Sequence, residues 1–294
     1  MDLTAAEIEE ILRGYAAGDA FGVAYEFSEF RGEVDPDLLK EKEGWPYGGV
    51  SDDTFLTLLT INSFRPESAK SSADNFLMQL RLSIPKLRGL GPTTRSALGL
   101  PVKDFEKSQI GISNGALMRT ALLGLAFREN EAEERRHFVR ALAEATHQSS
   151  VAIGCAIIGS ALFADARANG DKNSPFEIAE HERQMLIDDV AITDWLEPIC
   201  TGVSNESTET LNAVLWTVKT STSARQALQR ACKLGGDTDT VAALTTALVI
   251  ARKRGASDFE SIPWLPEIDW NEISGLSHSA NFLHQLYDQE KVLS

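Results

Sequence analysis

The chain has 294 residues, a length that suits one large domain or two small ones. No linker, internal repeat or low-complexity stretch divides it, so we expect a single domain over residues 1–294. Its 43 acidic and 28 basic residues give a net charge of −15, which argues against nucleic acid or an anionic membrane as a partner. Apolar residues make up 43% of the chain, enough to build a substantial core.

Cysteine usage and the N-terminus indicate a reducing compartment. The cysteines, Cys155, Cys200 and Cys232, are an odd set without metal-ligand spacing, and we interpret them as reduced, buried thiols. The first residues are acidic and no apolar run follows them, so no signal peptide is expected. The longest mostly apolar stretch, residues 151–164, is shorter than the ~18 residues of a membrane span, and we interpret it as a buried core helix. We expect a cytoplasmic monomer without a membrane partner.

In chain order, one helical pattern follows another. Apolar residues recur at helical spacing from Ile8 to Ala16, and this helix includes Gly14, Gly18 and Gly22, whose small size lets another backbone approach closely. No stretch alternates with period two between turn signals, so the predicted fold is all-α. Further helices are predicted from Ser51 to before Pro66, after Gly236, and over residues 75–83, 93–100, 113–127, 131–146, 151–164, 176–186, 206–218, 223–234 and 271–288.

The stretch from Gly235 to Ala243 combines two glycines with two aspartates at a helix start. The glycine pair supplies backbone conformations closed to other residues, while Asp237 can cap the next helix and Asp239 lies in its first turn. A second acidic helix start lies at residues 51–54, which contain two further aspartates. We expect the fold to bring the two starts together, so that four carboxylates face one space. Bound cations would offset the repulsion between these four carboxylates.

Each motif also has a simpler interpretation. A lone acidic helix start is usually an ordinary cap, because Ser or Asp accepts a backbone N–H and acids complement the helix dipole. Two such starts before strongly apolar helices favour buried acids that stay ionised, with low pKa values, and bind Mg²⁺, Mn²⁺ or Ca²⁺. Taken singly, Glu26 suits a solvated loop acid, His147 a structural histidine, and Asn114 a turn signal.

Five short motifs occur in an order that resembles the ADP-ribosylglycohydrolase family, whose members include hydrolases of ADP-ribosylarginine and of ADP-ribosyl-dinitrogenase reductase. They extend from Gly14 toward Trp264 and are Gly14–Phe27 (GYAAGDAFGVAYEF), Gly48–Leu59 (GGVSDDTFLTLL), Ser113–Arg119 (SNGALMR), Ala145–His147 (ATH) and Gly235–Ala243 (GGDTDTVAA). The resemblance implies an all-α fold, a compact orthogonal multi-helix domain with two divalent cations, Mg²⁺ or Mn²⁺, in a central cleft. It implies a hydrolase that releases ADP-ribose from an ADP-ribosylated protein or another ADP-ribose conjugate.

The resemblance also implies roles for individual residues. The family's metal ligands match Ser51, Asp52, Asp53, Asp237, Asp239 and Thr240. The implied catalytic residues are Glu26, Asp52, Asp53 and Asp239. The implied substrate contacts are Glu26, Asn114, Gly115, Met118 and His147.

The implied chemistry makes physical sense. Two cations can hold the vicinal hydroxyls of the distal ribose and polarise a water molecule. Cleavage at the glycosidic carbon builds positive charge on the sugar, which a carboxylate-rich site stabilises. A carboxylate would activate the water as general base, and Glu26 is one candidate.

The chain departs from the family pattern at several positions. Ser51 stands where Thr is usual, and the hydroxyl is kept. Leu122 replaces a common Pro. Thr246 and Ile250 replace glycines, and their bulk should push a neighbouring helix outward. Gly111 stands where nitrogenase-type members carry an acid. Arginine-linked ADP-ribose is the predicted substrate, and Gly111 makes serine-linked ADP-ribose the main competitor.

Three other functions stay open. A terpenoid-synthase-like Mg²⁺ enzyme predicts a third acid shortly after Asp52 and Asp53, but Thr54, Phe55 and Leu56 follow. A non-catalytic relative that binds ADP-ribose would not need so costly a cluster of acids. A hydrolase of free small molecules that carry ADP-ribose has the same sequence pattern as a hydrolase of modified proteins.

Overall fold

The computed structural model describes residues 2–28, 32–186, 195–198 and 202–289. These residues form twelve α-helices and no β-strand, which confirms the all-α prediction. The helices are α1 (Ala5–Val23), α2 (Asp52–Ser63), α3 (Ala69–Ser83), α4 (Pro92–Ala97), α5 (Gly115–Thr120), α6 (Ala132–Glu144), α7 (Ser150–Asn169), α8 (Pro175–Met185), α9 (Ser207–Thr220), α10 (Ala224–Leu234), α11 (Thr238–Lys253) and α12 (Leu276–Asp288).

The helix boundaries differ from the predicted ones where a cap or a turn decides them. Helix α3 begins earlier than predicted, because the Ser68 hydroxyl accepts the Ser71 N–H and caps the helix at that point. The helix predicted over residues 113–127 is α5 followed by a 3₁₀ segment, Ala121–Ala126. Helix α12 begins later than predicted, because Gly275, at a φ of 110°, ends a turn in front of it.

Helices α1 and α11 pack against each other through the small residues of α1. A Cβ atom on Gly18 or Gly22 would lie 2.4 Å from a backbone atom of α11, and the atom facing Gly22 is the Asp239 Cα. The prediction that these glycines admit another backbone is therefore confirmed. Ile250 does not hold the two helices apart, because its Cδ1 lies in the space left by Gly14, 2.1 Å from where a Cβ would stand.

This packing leads to a stability prediction. Gly18→Ala is expected to lower the free energy of unfolding by about 1–3 kcal/mol, because the added methyl group must displace the α11 backbone. Gly91→Ala is the matched control, since a Cβ at that position meets nothing within 4 Å. Denaturant unfolding of both variants measures the difference. Equal stabilities would show that the α1–α11 contact has room to relax.

Helix α7 runs through the core. Its length and mean hydropathy of 1.6 would suffice for a membrane span, yet 83% of its apolar window is buried inside the protein. This burial agrees with the core helix expected at residues 151–164. Cys155 on α7 and Cys232 on α10 are buried free thiols, as predicted, and burial raises the pKa of both. Cys200 lies outside the described residues.

Candidate functional site

A buried aspartate on α1 holds the first acidic helix start in place. The Asp19 carboxylate accepts the Ser51 N–H at 3.0 Å, the Thr54 N–H at 3.1 Å and the Thr54 hydroxyl at 2.6 Å. The Ser51 hydroxyl caps α2 by accepting the Asp53 N–H at 3.1 Å. Because Ser51 provides the cap, the carboxylates of Asp52 and Asp53 are not needed for that purpose and line a cleft.

At the second helix start, too, the aspartate side chain does not cap the helix. Asp237 occupies the N-cap position of α11, but its side chain makes no capping hydrogen bond. Its carboxylate instead accepts a hydrogen bond from the Asn114 side-chain amide. The Asp237 N–H donates to the Val203 carbonyl at 2.9 Å, and Val203 N–H donates to Gly235 at 2.9 Å. Gly236 has a φ of 77°, and a Cβ there would lie 2.0 Å from the Val203 oxygen, so only glycine fits.

Glu26 lies in the same cluster as the aspartates of α11. One carboxylate oxygen from each of Glu26, Asp237 and Asp239 lies within 4.8 Å of the others. The Phe27 N–H donates to the Gly236 carbonyl at 2.8 Å, which ties the turn after α1 to the start of α11. The family resemblance implies that Glu26 is a catalytic residue and a substrate contact, and it does not include Glu26 among the metal ligands. The structure makes Glu26 a candidate ligand as well as a candidate base.

The cleft between these segments has a volume of about 100 Å³. Pockets for whole small molecules usually measure ~300–1,000 Å³, so this space suits ions, water and one sugar ring. Cavities of about 340 and 430 Å³ are lined by other residues, and we place the site at the smaller cleft because of its chemistry. The predicted site residues that line it are Glu26, Asp52, Asp53, Asn114, Gly115, Met118, Asp237, Asp239 and Thr240.

Ser51 and His147 are not among the residues that line the cleft in the described chain. The fully buried His147 ring lies behind the cleft wall, with Nε2 3.1 Å from the Ser113 hydroxyl and Nδ1 2.8 Å from the Thr146 hydroxyl. Burial, assisted by the charge of Arg119, lowers the pKa of His147 to about 3, so its ring is neutral. The structure therefore gives His147 a supporting position, and its contact with substrate stays a prediction.

Burial raises the pKa values of all four aspartates. For Asp52, loss of hydration and then the charge of Asp19 raise the pKa to about 8. Burial raises the pKa of Asp237 to about 6, and the pKa values of Asp53 and Asp239 lie well above the usual range for the same cause. The expectation of low pKa values is thus wrong for the metal-free protein, because the carboxylates are shielded from water and repel one another.

The donor set fits divalent cations that prefer oxygen ligands. Asp53 Oδ2 and Asp239 Oδ1 are buried, and neither has a hydrogen-bond partner among the described residues. Buried acceptors without a partner are costly unless an ion or a water molecule satisfies them. Together with the other carboxylates and the neighbouring hydroxyls of Ser51 and Thr240, these atoms suit Mg²⁺ or Mn²⁺.

These shifts predict how pH affects the metal-free protein. A raised carboxyl pKa means that the folded state keeps protons that the unfolded state has released. The retained protons contribute to the free energy of unfolding. This contribution is present below the pKa of the unfolded state and is lost as pH rises through the pKa of the folded state, which is about 6 for Asp19 and Asp237 and about 8 for Asp52. The Tm in chelator is therefore expected to fall from about pH 5 to about pH 8, while the gain in Tm from Mg²⁺ grows. A pH-independent gain would contradict this account.

Asp19 and Lys42 contact predicted site residues, although neither has a role predicted from the sequence. The signal for Asp19 was present: an acid within an otherwise apolar helical stretch. Lys42 Nζ forms an ion pair with Glu26 Oε2 at 2.6 Å. The two residues are 16 positions apart, and no local pattern connects them.

Comparisons with known proteins show the family and the fold of the chain. The sequence model of the ADP-ribosylglycohydrolase family matches residues 3–290. The uncharacterized protein YegU of Escherichia coli (strain K12) is 27% identical over 286 residues, and the match covers 81% of this chain and 84% of that protein. A solved structure named "ADP-ribosylglycohydrolase-related protein complex" shares the fold, with a TM-score of 0.73, 24% identity and coverage of 96% of this chain and 98% of that one. Because the family match spans nearly all of the sequence, the chain belongs to the ADP-ribosylglycohydrolase family.

Proposed function

We propose that the protein is a metal-dependent hydrolase that releases ADP-ribose from ADP-ribosylated protein side chains by cleaving the glycosidic bond at the distal ribose. Family membership supports the coarser statement, a hydrolase of ADP-ribose conjugates. The observation that carries the proposal is the convergence of Glu26 with both acidic helix starts in one cleft. The net charge of −15 supports action on a modified protein rather than on nucleic acid. We also propose that the enzyme is cytoplasmic and monomeric.

The residues that would hold Mg²⁺ or Mn²⁺ are Ser51, Asp52, Asp53, Asp237, Asp239 and Thr240. When bound, such ions supply Lewis-acid polarisation and binding points for sugar hydroxyls. The carboxylates of the cleft stabilise the positive charge that develops on the sugar carbon. Glu26 accepts the proton of the attacking water, and Asn114 orients Asp237 through its amide hydrogen bond.

The test compares two linkages. The protein is incubated with Mg²⁺ and with proteins that carry ADP-ribose on arginine or on serine, and free ADP-ribose is measured by liquid chromatography. Release in Mg²⁺ that is abolished by a chelator is the expected result. Arginine is the sequence-based first choice and serine its main competitor. Release from neither linkage contradicts the hydrolase proposal. A non-catalytic relative would bind the ADP-ribose group of these substrates but would release no free ADP-ribose from them.

A further inference from the structure

Glu26 lies between two cation positions, the candidate metal site and the ammonium group of a lysine. One of its carboxylate oxygens lies within 4.8 Å of an oxygen of Asp237 and of an oxygen of Asp239, close enough for the three groups to share an ion. Lys42 Nζ lies 2.6 Å from Glu26 Oε2, and the two side chains are 30% and 26% exposed. Because opposite charges attract on both sides, Lys42 competes with a bound ion for the Glu26 carboxylate.

The backbone of Glu26 is fixed, so its side chain alone determines which cation it meets. The Glu26 N–H donates to the Gly22 carbonyl at 3.1 Å, at the end of α1. The Phe27 N–H donates to the Gly236 carbonyl at 2.8 Å, and Phe27 has a φ of 45°, which is costly for a bulky residue. Hydrogen bonds on both sides of Glu26 therefore hold it beside the start of α11.

The loop that carries Lys42 is held on both sides of the lysine. Leu39 is buried in the core three residues before it. The Trp45 N–H donates to the Lys42 carbonyl at 3.0 Å, and Trp45 Nε1 donates to the Gly49 carbonyl at 3.0 Å. Lys42 Nζ lies 5.5 Å from the centre of the Trp45 ring, so cation–π attraction adds to the ion pair with Glu26. The folded loop thus presents the ammonium group to Glu26.

The charges of the cleft separate Glu26 from the four aspartates. Five of the residues that line the cleft in the described chain are acidic, and none is basic. Among these five carboxylates, Glu26 is the one with a cationic partner in the part of the chain that the structure describes. The four negative charges of the aspartates would balance two divalent cations. Glu26 and Lys42 form a neutral pair beside them, so the fifth carboxylate is not needed for charge balance.

We propose that Lys42 is a positioning residue that holds Glu26 out of the coordination sphere of the divalent cations and so keeps it free to act as general base. The inference rests on the metal site of the proposed function. A carboxylate that ligates a metal shares its lone pairs with the ion and is a poorer proton acceptor. Lys42 contacts Glu26 Oε2, which leaves Oε1 to accept the proton of the attacking water.

The test measures Mg²⁺ affinity by calorimetry. Lys42→Met removes the charge, and its thioether packs well on an aromatic ring such as that of Trp45. The substitution is expected to raise Mg²⁺ affinity roughly tenfold, because it frees a unit negative charge about 5 Å from a divalent ion in a partly exposed site. Turnover should fall at the same time, since Glu26 becomes a ligand. A merely structural loss would not tighten metal binding.

Three further variants serve as controls. Lys42→Arg keeps the charge and should keep wild-type affinity. Lys40→Met removes a charge from the same loop, where Lys40 Nζ lies 4.9 Å from the centre of the Tyr25 ring, and it should also bind Mg²⁺ as the wild type does. The double variant Lys42→Met with Glu26→Gln has the net charge of the wild type and lacks the freed carboxylate. Its affinity is expected to return to the wild-type value.

Diffraction from crystals soaked in Mn²⁺ shows the position of the side chain directly. In Lys42→Met, a Glu26 oxygen is expected at ~2.0–2.2 Å from the metal, whereas in the wild type Glu26 stays paired with Lys42. Glu26 bound to the metal in the wild type would contradict the proposal.

Two affinity results also overturn the inference. One is an unchanged Mg²⁺ affinity in Lys42→Met. The other is a double variant that binds Mg²⁺ markedly more weakly than the wild type, because Glu26 would then ligate the metal even beside Lys42. Thermal melts check that each variant is folded. If the wild-type protein binds no Mg²⁺, the proposed metal-dependent function fails, and this result is distinct from an unchanged affinity in Lys42→Met.

Discussion

Asp237→Asn is expected to lower divalent-cation affinity and turnover by at least ~10–100-fold, the loss seen when a residue that merely supports a metal ligand is removed. The substitution takes one negative charge from a site that needs negative charge to attract cations. It should cost little stability, because Asn is as good an N-cap as Asp and the Asp237 side chain makes no capping bond. The metal-free variant is even expected to melt higher, since one member of a repelling cluster is gone.

Calorimetric titration with Mg²⁺ and thermal melts with and without chelator measure these effects. Asp258→Asn is the matched control, because Asp258 accepts the Ala224 N–H at the start of α10, outside the cleft. The control should keep wild-type metal affinity. If Asp237→Asn also binds Mg²⁺ normally, the aspartates of α11 serve the helix start and not a metal.

Glu26→Gln is expected to slow turnover by ~10²–10⁴, the usual effect of removing a general base. The amide keeps the shape of the carboxylate and can still accept a hydrogen bond from Lys42. We expect metal binding to persist, because the four aspartates of the two helix starts remain. Turnover and Mg²⁺ titration are measured on the same preparation.

Each alternative result for Glu26→Gln has a clear meaning. Wild-type turnover would remove Glu26 from the mechanism. Loss of metal binding would make it a ligand, which its position within 4.8 Å of Asp237 and Asp239 allows.

Local sequence patterns were sufficient to predict most of the helices. Apolar spacing located α1 and α11, and the serine cap of α2 is the simpler interpretation that the sequence offered for Ser51 beside its predicted role as a metal ligand. Boundaries were missed where a local cap or a turn decided them, as at Ala69 and Leu276. The meeting of two acidic helix starts was predictable, because buried carboxylates before apolar helices have few other uses.

The details of the site depend on contacts between distant segments. Asp19 holds the α2 start through three hydrogen-bond donors, and no local pattern reveals that bridge. The ion pair of Glu26 with Lys42 depends on the path of the intervening loop. The pKa of Asp52 rises to about 8 because of burial and neighbouring charge, which only the folded arrangement determines. For the same reason, sequence alone led to the wrong direction for that pKa.

The central claim is that the two acidic helix starts form one site for divalent cations. Diffraction from crystals soaked in Mn²⁺, recorded at the manganese absorption edge, tests it most directly. The account predicts anomalous peaks in the cleft at ~2.0–2.2 Å from oxygens of both helix starts, from Asp52 or Asp53 on one side and Asp237 or Asp239 on the other. An empty cleft, or a peak bound by only one helix start, would contradict the claim.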